Sequence, residues 1–192
     1  MSYPQDYLEG VRGAIGTLDL ARIGQAIAWF REARDAGRTI FVCGNGGSAC
    51  TASHFATELL KGASYGRPRR FRIHALADSF STMSAYANDV SHECLFAEQL
   101  KNLAAPGDLV MGLSGSGNSL NVLRAIEYAN SIGCRTLALT GHDGGKLGPA
   151  AQLNINVAAP HQGRIEDTQM IVCHMICYYF MDRVDEQEAA AL

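Results

Sequence analysis

The hydrophobic pattern of the chain changes near residue 38. Before that point, apolar residues recur at spacings of three and four, first at Leu8, Val11, Ile15 and Leu18 and then at Ile23, Ile27, Phe30 and Ala33. This period is typical of amphipathic helices. The segment DAGR (35–38) carries the glycine that commonly ends a helix. Residues 1–37 are therefore predicted to form an N-terminal helical hairpin.

From residue 38 onward, short apolar runs alternate with helical patterns. Five runs predict strands, the first of them a buried strand: TIFVCG (39–44), FRIHAL (71–76), DLVMGL (108–113), RTLALTG (135–141) and LNINVAA (153–159). Helices are predicted after the first run, from about Ser48 to Lys61, and after the third, over LNVLRAIEYANSIG. Alternation of this kind is typical of right-handed βαβ units. We predict an α/β fold, a three-layer αβα sandwich in which helices cover both faces of a parallel sheet, as one domain over 1–192 with its α/β core at 38–192.

The last helical pattern runs from about Arg164 to Glu186 and is unusually apolar. The stretch MIVCHMICYYFM is apolar nearly all the way round, so such a helix must be buried on most of its sides. A chain of 192 residues provides little cover at its C-terminal end. We therefore expect an oligomer with this helix in an interface.

Composition and charge narrow the functional classes. Hydrophobic residues make up 47% and charged residues 18%, as in a globular protein with a well-filled core. The net charge of −3, without a basic block, argues against a basic nucleic-acid-binding face. No apolar run approaches the roughly 18 residues of a membrane span, and the polar start MSYPQDYLEG lacks the apolar core of a signal peptide. We expect a cytoplasmic protein that binds neither membrane nor nucleic acid.

The six cysteines, none in a CxxC pair, suit that location. Several lie in apolar runs such as IVCHMIC. Buried free thiols in a reducing compartment are expected, rather than disulfides or a cysteine metal site.

Two turns rich in glycine and serine each connect a predicted strand to a predicted helix. They are GNGGS (44–48) and SGSGNS (114–119). In a parallel sheet such turns lie at the carboxyl edge, where ligands bind and free N–H groups at helix starts favour a phosphate. Neither turn continues as a Walker loop or matches a dinucleotide GxGxxG well. The serines without an adjacent lysine favour a sugar phosphate over a nucleoside triphosphate, and no nucleotide cofactor is expected.

Three ionisable side chains are candidates for chemistry. His54 and Glu58 are four residues apart, so a helix places them on one face, one to two turns after a phosphate-type turn. A helix-surface pair, or a histidine satisfied in the core, remains an alternative. His174 lies within the apolar IVCHMIC and could equally be a core histidine bonded to a backbone carbonyl.

Four segments together resemble the sugar isomerase (SIS) domain family: CGNGGSA…SHFATEL, SGSGNS, LTGHDGGK and RIEDTQMIVCH. Within that family they are most similar to the phosphoheptose isomerases, which convert sedoheptulose 7-phosphate to D-glycero-D-manno-heptose 7-phosphate. The resemblance covers nearly the whole chain. It implies a five-stranded parallel sheet, a homotetramer, active sites built from more than one subunit, and a product that feeds a nucleotide-activated heptose.

The resemblance also implies catalytic roles. Glu58 would be the base that moves a proton between adjacent carbons through a cis-enediol, and His174 the acid/base for the oxygens. A carboxylate with a raised pKa in a partly desolvated site suits the carbon proton transfer. Some members of the family carry Zn²⁺, and the resemblance implies that the matching ligands in this chain are His54, Glu58, Glu166 and His174. Their imidazole and carboxylate groups suit that ion.

The same resemblance assigns substrate contacts. The first turn would line the sugar through Asn45, Gly46, Gly47 and Ser48. Asn88 and Asp89, which are also common loop residues, would contact sugar hydroxyls. The phosphate would bind the second turn, at Ser114, Gly115, Ser116 and Ser119. The segment LTGHDGGK is interpreted as structural more than catalytic.

Two departures from the family pattern concern the substrate site. Gly115 stands where many members have threonine, and Glu166, in RIED, stands where the family has the glutamine of RIQE. On a straight helix Glu166 and His174 would be about 12 Å apart along the axis and roughly 80° around it. They could share a metal only by extending toward it from both ends, or if the helix begins after Glu166.

Two other functions stay open on the sequence. One is a non-catalytic SIS tetramer that binds a protein partner such as a replication initiator. The other is an isomerase of a different phosphosugar, which the changes at Gly115 and Glu166 keep open.

Overall fold

The computed structural model describes residues 2–183. The strands are β1 (Thr39–Cys43), β2 (Arg72–Ala75), β3 (Leu109–Ser114), β4 (Arg135–Gly141) and β5 (Leu153–Val157). The helices are α1 (Tyr3–Ile15), α2 (Leu20–Asp35), α3 (Gly47–Thr57), α4 (Phe80–Asp89), α5 (Leu95–Leu103), α6 (Leu120–Ser131), α7 (Leu147–Ala150) and α8 (Gln162–Asp182). A π-helical turn, Glu58–Gly62, continues α3, and two 3₁₀ turns cover Leu76–Asp78 and His92–Cys94.

The five strands form one parallel sheet in the order β2-β1-β3-β4-β5. Each predicted strand is present with its ends within two residues of the prediction. The order places β1 and β3 side by side, and from this pair the chain builds outward in opposite directions. Such a switch point opens a crevice at the carboxyl edge of the sheet, and the two predicted phosphate-type turns follow these two strands.

Alternating side chains along the strands divide the core between the two faces of the sheet. Ile40 and Val42 of β1 pack on one side in a cluster with residues of α2, α3 and α8. Phe41 and Cys43 of the same strand pack on the other side with residues of α5 and α6. The predicted three-layer αβα sandwich with N-terminal helices is therefore confirmed.

Helices α4 and α5 were not predicted. No side chain of α4 is fully buried; Met83 and Tyr86 pack only partly buried against the core, so the sequence shows no stripe of fully buried apolar positions. Helix α5 does carry such a stripe, with Leu95, Phe96 and Leu100 buried, and this pattern could have been recognised. Asn88 and Asp89 are the last two residues of α4 rather than part of a loop.

Helix α8 begins at Gln162, two residues before the predicted start, and its predicted extension to Glu186 lies outside the described residues. One face, with Ile165, Val172, Ile176 and Phe180, is buried against α1, α2, α3 and the sheet. On another face Tyr178 is 48% exposed. The chain itself covers much of this helix, and the predicted interface remains a prediction.

All six cysteines are free thiols. Four of them are buried, and Cys50 on α3 is exposed. Within residues 2–183, no helix combines the length and the apolar character needed to cross a membrane.

Candidate active site

The turns after β1 and β3 are joined by a pair of side-chain amides. Asn45 Nδ2 donates to Asn121 Oδ1 at 2.8 Å, and Asn121 Nδ2 donates back to Asn45 Oδ1 at 2.9 Å. Asn121, in the first turn of α6, is buried and also accepts from the Val122 backbone N–H. Asn45, predicted to hold substrate, therefore links the two turns. The sequence reasoning missed Asn121; the available signal was an asparagine two residues after SGSGNS, within the predicted helix.

The second turn gathers three serine hydroxyls. Ser114 Oγ lies 3.0 Å from Ser119 Oγ and 3.4 Å from Ser116 Oγ. They open on a cavity of about 220 Å³, here called the serine cavity, whose lining residues are Asn45, Ser48, Leu113, Ser114, Gly115, Ser116, Ser119, Gln162 and Glu166. The structure thus brings residues of both predicted turns into one cavity.

Any positive potential in this serine cavity comes from the backbone, because no lysine or arginine within residues 2–183 lines it and the ionisable side chain that does, Glu166, is a carboxylate. Ser48 lies in the first turn of α3, Ser119 is the N-cap of α6, and Gln162 is the first residue of α8. Each helix start carries about half a positive charge and free N–H groups. Three such starts around hydroxyl donors make an anion site that needs no basic side chain.

The segment after β4 supports the serine turn. Gly117 has φ +65°, and a Cβ there would lie 2.3 Å from the Gly144 carbonyl oxygen, so only glycine fits. The Leu147 N–H donates to the Gly117 carbonyl at 2.8 Å, and the Lys146 N–H donates to Asn118 Oδ1 at 3.2 Å. These contacts support the structural interpretation of LTGHDGGK.

Glu166 lies in the serine cavity, on the first turns of α8. Its Oε1 accepts from Gln162 Nε2 at 2.8 Å, and its Oε2 lies 3.1 Å from the place of a Cβ on Gly47. The carboxylate therefore stands between the second turn and the first. Sequence reasoning missed Gln162, whose position one helical turn before Glu166 was the available signal.

A second group of candidate residues lies further along α8. His54 Nε2 and His174 Nε2 are 3.0 Å apart, and their rings meet at 67°. The Tyr178 ring packs edge-on against His174, with centroids 5.8 Å apart. His54 is exposed and His174 half-buried. The pairing of α3 with α8 thus brings two of the predicted residues into direct contact.

Glu58 is the first residue of the π-helical turn and is half-buried. Its Oε2 lies 3.3 Å from the place of a Cβ on Gly62. The pKa of the Cys177 thiol is raised mainly by burial, and to a smaller extent by the neighbouring charges of Cys173 and Glu58. The carboxylate of Glu58 therefore faces α8 beyond His174. Single π-helical turns occur frequently at functional sites.

The predicted zinc ligands fall into two groups within the chain. His54 and His174 fit a shared ion in type and spacing, because two nitrogens at tetrahedral Zn²⁺ are about 3.3 Å apart. Glu166 faces the serine cavity instead. Among the residues that the structure describes, no three His, Cys, Asp or Glu residues form a cluster that could hold a metal. Two histidines fit zinc, and the four-residue set remains a prediction.

Asn88 and Asp89 lie outside the serine cavity. Both are exposed at the end of α4, and Asn88 Nδ2 donates to Asp89 Oδ1 at 2.6 Å. Two large apolar side chains at the ends of this helix are exposed to solvent: Phe80, its first residue, is 80% exposed, and Val90, which follows its last residue, is 66% exposed.

Comparison with known proteins agrees with these features. The model of the SIS domain family matches residues 6–141. A protein of Thermoplasma volcanium described as a probable phosphoheptose isomerase is 37% identical over 90% of this chain and 87% of its own length. A phosphoheptose isomerase of Aliarcobacter butzleri is 41% identical over 73% of this chain and 74% of its own.

A solved structure shows the same fold. The phosphoheptose isomerase of Neisseria gonorrhoeae superposes with a TM-score of 0.84 at 29% identity, covering 93% of this chain and 95% of that one. The predicted resemblance is confirmed, as is the prediction of an enzyme of the aldose–ketose isomerase class, to which these relatives belong by name.

Proposed function

The chain belongs to the SIS domain family, and from this premise we propose that it converts sedoheptulose 7-phosphate to D-glycero-D-manno-heptose 7-phosphate. The observation that carries the proposal is the serine cavity at the β1/β3 switch point, bordered by three helix starts and, among the described residues, free of basic side chains. A site made of hydroxyl groups and helix N-termini, without basic side chains, suits the phosphate of an otherwise neutral sugar. The names of the relatives supply the seven-carbon substrate.

The phosphate is held by the hydroxyls of Ser114, Ser116 and Ser119 and by N–H groups at the starts of α3 and α6. Hydroxyls both donate and accept hydrogen bonds, so they can follow the phosphate oxygens without adding charge. Anchoring one end of the substrate turns proton transfer at the other end into an intramolecular step.

The sugar chain extends from this anchor along α8 toward the His54–His174 pair. Eight residues separate Glu166 from His174, a rise of about 12 Å, which an open seven-carbon sugar phosphate can follow. Glu58, half-buried one turn after His54, takes the proton from the carbon beside the carbonyl and returns it to the neighbouring carbon. His174, in contact with His54, moves the protons between O1 and O2.

Zn²⁺ is proposed as a partner of the two histidines, together with Glu58. When bound, such an ion supplies Lewis-acid polarisation of the substrate carbonyl. His54 and His174 would hold it through their Nε2 atoms, and the carboxylate of Glu58, one helical turn after His54, would be the third protein ligand. Glu166 is assigned to the phosphate end.

We also propose a homotetramer. The half-exposed side of α8 around Tyr178 and the uncovered helix α4 are apolar surfaces that a second copy would bury. Asn88 and Asp89 at the end of α4 would then contact sugar hydroxyls from a neighbouring subunit.

The test is a direct assay. Purified protein is incubated with sedoheptulose 7-phosphate, and the aldose product is followed by NMR. Parallel reactions contain unphosphorylated sedoheptulose and fructose 6-phosphate. We expect turnover of the first compound only. Turnover of fructose 6-phosphate alone would favour the isomerase of another phosphosugar, and turnover of none would overturn the proposal.

A further inference from the structure

We propose that Gln162 is a phosphate-binding residue of this enzyme, and that Glu166 positions it. The inference deepens the proposed function and rests on it, because it concerns how the same substrate is held. Gln162 is the first residue of α8, at the mouth of the serine cavity. It lies among the hydroxyls of a turn 43 or more residues earlier in the chain.

The space that Gln162 occupies is the space a side chain at position 115 would need. A Cβ on Gly115 would lie 2.2 Å from Gln162 Nε2 and 2.8 Å from its Oε1. Contacts below 3.0 Å are essentially never made by a real Cβ. The turn has hydroxyls at Ser114, Ser116 and Ser119 but no side chain at position 115. The Gln162 amide occupies the space that such a side chain would fill.

The hydrogen bonds of the amide determine its orientation. Nε2 carries two N–H donors, and one of them is directed to Glu166 Oε1 at 2.8 Å. A bond to a carboxylate is stronger than one between neutral groups, so Glu166 holds the amide with its nitrogen side in the cavity. The second N–H is left for a phosphate oxygen.

This arrangement also limits the cost of a carboxylate in a phosphate site. Glu166 is the sole ionisable side chain among the described residues that line the cavity, and alone it would repel a bound anion. Gln162 donates to the carboxylate and stands between Glu166 and the Gly115 backbone. A negative side chain thus serves phosphate binding indirectly, as a positioning residue for a neutral donor.

Four proteins test the inference: Gln162→Ala, Gly115→Ser, the double variant, and Gln25→Ala as a matched control on the exposed surface of α2. For Gln162→Ala we expect KM to rise about tenfold with kcat within about twofold, as for loss of one hydrogen bond to a charged group. The inhibition constant of inorganic phosphate should rise in parallel. Gly115→Ser alone should also weaken phosphate binding, because its Cβ collides with the amide.

The double variant distinguishes a binding role from a structural one. Removing the Gln162 amide frees the space for a hydroxyl at 115, so phosphate affinity should recover above that of either single variant. Phosphate affinity unchanged in Gln162→Ala, with only a lowered Tm, would overturn the inference. Phosphate affinity is also measured by ³¹P NMR with inorganic phosphate, so a wild type that binds phosphate without turning over the heptose would count against the proposed function and not against Gln162.

Discussion

His54 Nε2 and His174 Nε2 lie 3.0 Å apart although 120 residues separate them in the chain. Two imidazole nitrogens this close must share a proton or a cation, because two lone pairs or two N–H groups facing each other repel. The contact joins α3, which follows the first glycine-rich turn, to α8, which begins at the serine cavity. Helices α3 and α8 thereby connect the serine cavity, where the phosphate is proposed to bind, to the histidine pair at the reacting end of the sugar.

Glu58→Gln should abolish most of the isomerase activity. The amide keeps the shape but cannot accept the carbon proton, so kcat should fall about a thousandfold, within the range for loss of a general base. Steady-state kinetics on sedoheptulose 7-phosphate measure this. Glu127→Gln, on the exposed surface of α6, is the control and should match wild type. Full activity in Glu58→Gln would remove the proposed mechanism.

Zn²⁺ should bind through the histidine pair. Titration of metal-free protein with Zn²⁺ alone, followed by calorimetry, should show at least a tenfold loss of affinity in His54→Ala and in His174→Ala, since each removes one ligand. Glu166→Gln should stay within about twofold of wild type, because Glu166 faces the serine cavity. An equal loss in Glu166→Gln would mean that this carboxylate reaches the ion after all.

Ser119→Ala should weaken substrate binding without slowing the chemistry. Ser119 occupies the N-cap position of α6, but its hydroxyl makes no capping hydrogen bond and lies 3.0 Å from Ser114 Oγ. Its loss removes one donor to the phosphate, so KM should rise about tenfold. Ser131→Ala, whose hydroxyl bonds only the Tyr128 carbonyl at an exposed helix end, is the control. A fall in kcat alone would contradict the assignment.

Two glycine substitutions should change stability in opposite directions. Gly24 is exposed within α2, and a Cβ added there would have open space around it to 4 Å, so Gly24→Ala should raise the free energy of unfolding by about 0.5–1 kcal/mol. Gly117→Ala should lower it by at least about 1 kcal/mol, because a Cβ there meets the Gly144 oxygen at φ +65°. Urea denaturation measures both. A stabilised Gly117→Ala would contradict the packing of the serine turn.

The thiols should differ sharply in reactivity. Burial raises the pKa of Cys43 and of Cys173 to about 12, so neither forms the reactive thiolate in the native protein near pH 8. Cys50 is exposed and should be labelled first by iodoacetamide, as peptide mass spectrometry would show. Cys50→Ser should abolish the fast phase. Rapid native-state labelling of Cys43 would contradict the burial.

The same thiols give stability a dependence on alkaline pH. Their folded-state pKa lies above the unfolded value of about 8.5, so unfolding releases protons above that pH. The free energy of unfolding contributed by the neutral buried thiols is fully present below about pH 8.5. It should fall as the pH rises from there toward 12, as urea titrations across that range would show.

The sequence by itself determined the sheet and the location of the site. The central strands β1, β3 and β4 follow from runs that are apolar nearly throughout, because a parallel strand covered on both faces is apolar on both. The edge strands β2 and β5 follow from alternating apolar positions, because their intervening residues are exposed or half-buried. The serine turn follows from its place between strand and helix. Burial and turn geometry act locally, so a single sequence displays them.

Only the tertiary structure decided which residues meet. His54 and His174 come together, and Glu166 lies with Gln162 over Gly115, because α8 crosses both turns at an angle that no local pattern encodes. The π-helical turn at Glu58 likewise depends on how α3 packs against α8. Helix α4 escaped prediction because none of its side chains is fully buried within this chain, and only Met83 and Tyr86 pack partly against the core. A periodic pattern of apolar residues reveals a helix only where that helix buries one face in the core of the same chain.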